Sequence, residues 1–90
     1  VGAELAALAG GAEVLLRRAE ALAADGELRL ACHLADLAGW AAPDDPAIHA
    51  GRSAVYIARR KAEPSLMAKG IFAAAARESQ IVVERHGPTG

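Results

Sequence analysis

Aromatic side chains are scarce: the 90 residues hold one Trp, one Tyr and one Phe. A core without aromatics leans on Leu and Ala, which supply less buried area per residue. The single cysteine, Cys32, excludes an internal disulfide framework and a multi-cysteine zinc site, and is compatible with a reducing compartment. An excess of one charge is also missing. Ten Lys+Arg against 11 Asp+Glu leave a net charge of -1, which argues against a non-specific nucleic-acid binder. No stretch approaches the ~18 uninterrupted apolar residues of a membrane span, so no membrane partner is expected. The start, Val1-Gly2-Ala3-Glu4, has neither an initiator Met nor a basic signal-peptide start. It reads as a fragment of a longer chain.

What is present is alanine, 24 of the 90 residues. Ala is the best helix former, β-branched residues are sparse before Ile81-Val82-Val83, and no window alternates as a strand does. The chain is therefore all-α, and its length allows one small domain. Such a chain buries only roughly 60% of its unfolded surface, so its core is marginal without help.

Gly10-Gly11 is the first punctuation, and residues 1–10 read as the tail of an upstream helix or a linker. From Ala12 to Ala24, Leu15, Leu16, Ala19, Leu22 and Ala23 recur at helical spacing, with Glu13, Arg17 and Glu20 opposite. Asp25-Gly26 ends this helix, Gly26 suiting the left-handed position after a C-terminus. A second helix runs from about Glu27 to Ala42. Leu30, Leu34 and Leu37 make one ridge, Ala31, Ala35, Ala38 and Gly39 a small-residue strip, and Arg29, His33, Asp36 and Trp40 a nominally polar side. Asp45 as N-cap and Pro46 at the first position start a third helix, reaching to about Ala62. Its apolar side is predicted to be Ala47, Ile48, Ala54, Val55, Ala58 and Ala62. His49, Arg52, Tyr56, Arg59 and Arg60 are predicted to form a solvated basic side.

Glu63-Pro64-Ser65 separates a fourth helix, to about Gln80, that is predicted to bury Met67, Ala68, Ile71, Phe72, Ala74 and Ala75. Gly70 within it costs about 1 kcal/mol relative to Ala, which close approach of another helix beside Ala74 would offset. Residues 81–90 read as a C-terminal extension or tail: Ile81-Val82-Val83 extends the apolar arc, and the end from Arg85 reads as frayed. Short connections favour antiparallel neighbours, so residues 11–80 are predicted to form a bundle of two antiparallel hairpins.

The two pairs fit a tetratricopeptide-like repeat: Leu15, Ala19, Leu22, Gly26, Leu28, Ala31, Ala38 and Pro43 occupy its packing, turn and closing positions. Ser53 and Tyr56 lie 34 residues beyond Ala19 and Leu22. More narrowly, Ala9-Gly10-Gly11-Ala12, the run from Arg18 to Asp25-Gly26, and Leu30-Ala31 through Pro43-Asp44-Asp45-Pro46 resemble the alkylsulfatase dimerisation domain. That resemblance implies a tetratricopeptide-like module pairing two subunits, following a catalytic metallo-β-lactamase fold whose two zinc ions are held by a His-x-His-x-Asp-His motif. No such motif occurs here, so no catalytic, cofactor or metal residue carries over; zinc would belong to the parent chain. The family's Gly-Tyr and aromatic-rich last helix are replaced by Glu63-Pro64-Ser65 and Met67-Ala68-Lys69-Gly70-Ile71-Phe72.

Other residues weigh little toward chemistry. Cys32 and His33 diverge by about 100° on a helix and cannot readily grip one ion, and His33 with Asp36 supplies only two ligands. Cys32 is expected in the core. Trp40 on a polar face suits a partner anchor, or alternatively folds over the Pro43 turn. Glu78 is predicted to lie toward the apolar side of the fourth helix. It is expected either to reach water or Arg77 and Arg85, or to bridge to an arginine of the third helix in another subunit. The reading is a non-catalytic homodimerisation module whose surplus apolar surface is shared between two copies. Trp40, Met67, Ile71, Phe72, Glu78 and Ile81 are its candidate interface residues. The alternative is a monomeric peptide-binding adaptor with a groove along the first and third helices.

Overall fold

The computed structural model describes residues 11–86, and these form four helices. They are α1 (Ala12–Ala24), α2 (Leu28–Ala41), α3 (Pro46–Ala62) and α4 (Leu66–His86). Residues 1–10, and with them the expected upstream tail, lie outside the described residues, as do residues 87–90. The fold is all-α.

Local chemistry sets the boundaries. Gly26, at φ 86°, closes α1: its N–H donates to the Ala23 carbonyl, and the Glu27 N–H donates to the Leu22 carbonyl at 2.8 Å. Those two bonds satisfy carbonyls that the helix end leaves open, in a left-handed conformation that costs glycine least. The Asp45 carboxylate accepts from the Ala47 and Ile48 N–H groups at 2.9 and 3.4 Å, and Pro46 fixes the first turn of α3. Ser65 accepts from the Ala68 N–H at 3.3 Å ahead of α4. That helix continues to His86, six residues past its predicted end near Gln80, and His86 Nε2 lies 3.5 Å from Asp44 in the α2–α3 connection.

Packing follows chain order. The largest contacts are α3 with α4 and α1 with α2; α2 packs on α3, and α1 also touches α3. Small residues make this possible. Ala19, Ala31, Ala35 and Ala38 have no exposed surface; the first three pack with Leu22, Cys32, Val55, Tyr56 and Ala76 in one cluster, and Ala38 with Leu16 and Ile48 in another. Gly51 lets α3 approach α1 closely: a Cβ there would collide with the end of the Leu16 side chain.

Two predicted faces are corrected by the tertiary packing. In α3 the expected solvated side is largely internal: His49, Arg52 and Tyr56 are buried together with Ile48, Ser53 and Val55, while Ala47, Ala54 and Ala62 face water. In α4 the buried residues are Ala76 and Ser79, flanked by half-buried Phe72 and Ala75, whereas Met67, Ile71 and Ala74 are exposed. Gly70 is also exposed and a Cβ on it would meet nothing within 4 Å, so no neighbouring helix among the described residues offsets its cost.

Candidate dimerisation surface

The inward turn of α3 creates a polar network where α2, α3 and α4 meet. His49, Arg52, Ser53 and Tyr56 lie at i, i+3, i+4 and i+7, one helical face. Arg52 Nε donates to Asp36 Oδ1 at 3.1 Å, and its Nη1 donates to the Ala75 carbonyl at 3.1 Å and Ser79 Oγ at 2.7 Å. The Tyr56 hydroxyl donates to the Asp36 carboxylate, 2.9 and 3.0 Å from its two oxygens. His49 Nδ1 lies 2.9 Å from Ser79 Oγ. The guanidinium also sits 5.0 Å from the Tyr56 ring centroid, so a buried charge has both a counter-ion and an aromatic face. Burial, with the Asp36 hydrogen bond second, raises the Tyr56 pKa well above the usual tyrosine value. Burial likewise raises that of the Cys32 thiol.

Glu78 belongs to the rim of this network. Its side chain is exposed on the same stripe of α4 as Met67 and Ile71, and its Oε1 lies 3.2 Å from Arg52 Nη1. Glu78 thus reaches water, the first of its two expected placements, and the third-helix arginine that the second set in another subunit is met within the chain. Phe72 is corrected in part as well. It packs half-buried on the core, its ring 6.3 Å from that of Tyr56 and capped by the Arg59 guanidinium at 4.9 Å.

The other candidates share the outer face of α4 and the cleft beside it. Met67, Ile71, Ala74, Glu78 and Ile81 follow a four-three-four-three spacing along α4, and all are exposed. Met67 is 80% and Ile71 62% accessible. Such spacing places side chains on one stripe of a helix, in the manner of a coiled-coil seam. Trp40, 65% accessible, stands beside the stripe. A cleft of about 320 Å³ opens between Trp40 and Pro43 on one side and Glu78 and Val82 on the other, floored by Gly39 and His49. The structure thus brings Trp40 to Glu78 and sets Met67, Ile71 and Ile81 on one face, but turns Phe72 toward the core.

Sequence reasoning missed His49, Arg52, Tyr56 and Ser79 as a unit, and Val82 as part of the cleft. The i, i+3, i+4, i+7 recurrence in α3 was a usable signal, but polarity read residue by residue sent that face outward. Among the described residues no group of three or more His, Cys, Asp or Glu side chains is placed to hold a metal ion, and no helix is long and apolar enough to cross a membrane.

The sequence matches the family model described as alkyl sulfatase dimerisation over residues 1–81. No curated protein and no solved structure matches it. A match over nearly the whole helical region accords with an all-α fold that leaves one apolar helix face open to water, and the chain belongs to the alkyl sulfatase dimerisation family.

Proposed function

We propose that this dimerisation module pairs two copies of its own chain through the outer face of α4, with Trp40 at the edge of the contact. The observation that carries the reading is the exposure of Met67 and Ile71 on one stripe of a helix whose opposite side already serves the core. Apolar on both faces, α4 is half satisfied in a single copy, and burying its outer face removes that surface from water. A symmetric pair suits the stripe, because a two-fold contact sets the same patch of each copy against the other.

In this reading the module is non-catalytic and serves a longer hydrolase of the metallo-β-lactamase fold. Zinc and the reacting groups belong to that upstream domain, and the 90 residues contribute subunit pairing. No cofactor and no nucleic acid is assigned to them.

Sedimentation equilibrium tests the pairing. The chain is expected to move from monomer to dimer as concentration rises, and Ile71→Asp is expected to weaken the association by at least about thirtyfold with its helical content unchanged. A monomer at every concentration would reject the pairing and favour the peptide-binding adaptor.

A further inference from the structure

The cleft beside Trp40 has a feature that a plain apolar groove lacks. His49, only 7% accessible, forms its floor, and His49 Nε2 is buried without a hydrogen-bond partner. Ser79 is fully buried and its Oγ accepts from Arg52, so its own hydrogen needs an acceptor. His49 Nδ1 lies 2.9 Å from that oxygen, and the imidazole tautomer sets which of the two donates. Buried polar atoms are normally paired. Arg52 and Glu78 also line the cleft. A suitable occupant is apolar enough to lie between Trp40 and Val82, yet polarisable enough to lie against the imidazole and the guanidinium.

We propose that this cleft is a socket for Met67 of the partner subunit, so that two copies paired antiparallel through α4 each fill the other's socket; this rests on the pairing proposed above. Four observations converge on that residue. Among the large apolar side chains exposed on the described residues, Met67 alone carries a polarisable sulfur. Sulfur also packs well against aromatic rings, and Trp40 forms the cleft wall. A chain cannot fill its own socket, because Met67 and Val82 lie 15 residues apart on one helix, or about 22 Å at ~1.5 Å per residue. In an antiparallel pair, however, Met67 of the partner subunit lies opposite Ile81 when the two-fold axis passes Ala74, seven residues from each. Ala74 is the smallest side chain of the stripe, and exposed Gly70 is one turn away. Both let two helices approach closely, which gives Gly70 the packing role it lacks within one chain.

Cysteine cross-linking tests the register, with the native chain and its buried Cys32 as the blank. A74C places a thiol at the axis, and M67C combined with V82C places one at each end of the contact. Mild oxidation is expected to give a covalent dimer from A74C at least about tenfold faster than from E20C on exposed α1, because facing thiols meet at high effective concentration. The M67C/V82C chain is expected to link, while either single substitution stays uncoupled. Trp40, the sole tryptophan, adds a second readout: its emission is expected to shift to the blue on association, and Met67→Ala to remove most of that shift. A native chain that dimerises in sedimentation while A74C links no faster than E20C would overturn the socket and leave the pairing standing. A native chain that stays monomeric would overturn both.

Discussion

Arg52 is a charged residue with 8% of its surface accessible, and it is bonded to three partners on two other helices. Removing it leaves the Asp36 carboxylate, the Ser79 hydroxyl and the Ala75 carbonyl short of a donor. Truncating one member of a buried pair costs more than the pair contributes, so Arg52→Ala should destabilise the fold by roughly 3 kcal/mol in urea unfolding. Arg52→Met, which keeps the volume, should recover part of the loss. Equal effects would mean that the lost network rather than lost packing dominates. Tyr56 offers a pH-dependent reading. The folded chain holds the phenol proton more tightly than the unfolded chain, so this contribution is intact below the ordinary tyrosine value of about 10. It is lost as pH climbs above that value toward the higher folded one. Tyr56 is the only tyrosine, so phenolate absorbance reports it alone. Ionisation is expected to coincide with alkaline unfolding, and a reversible titration at the ordinary value in the folded chain would contradict the buried bond to Asp36.

Two helix-interior glycines behave oppositely at the level of the element. Gly51 faces Leu16 of α1 so closely that a methyl group forces the two helices or the leucine to move. Gly51→Ala should therefore cost about 1–2 kcal/mol, the overpacking penalty exceeding the gain in helix propensity. Gly70 meets open space, so Gly70→Ala should raise the stability of a single copy by about 0.5–1 kcal/mol. Thermal unfolding of dilute samples compares the two. A stabilised Gly51→Ala would show that the α1–α3 contact yields easily. The Asp45 cap is a smaller contributor. Asp45→Ala removes the acceptor for two N–H groups at the start of α3 and should cost about 1 kcal/mol.

At the scale of the whole molecule, a domain this small has little core to spare. Its internal clusters are built on alanines, with Leu16, Leu22, Ile48, Val55 and Tyr56 as their larger members. Leu66, Met67, Ile71 and Trp40 remain largely in water. Association that buries them adds stability by mass action, so the thermal midpoint should rise with protein concentration for the native chain and stay constant for Ile71→Asp. A midpoint independent of concentration in both would show that pairing contributes nothing to the fold.

The helices were legible in the sequence because their signals are local. Alanine content, the Asp-Gly turn and the Asp45-Pro46 start act within a few residues of one another, and no distant contact overrides them. The apolar character of α4 was legible too, but not which side of it would be covered. Met67, Ile71, Phe72 and Ala75 read alike as apolar residues, and only the placement of α3 puts Phe72 and Ala75 against Tyr56 and leaves Met67 and Ile71 outside. The same decision turned His49, Arg52 and Tyr56 inward. Single-residue polarity gives such a face to solvent, since a buried guanidinium is costly until Asp36, Ser79 and the Ala75 carbonyl arrive from helices remote in sequence. Sequence alone determined that the chain would be helical and where the helices would start, but not that the last would run on to His86. Tertiary structure decided which faces meet, because the free energy of a side chain's burial depends on partners that only the folded chain brings within reach.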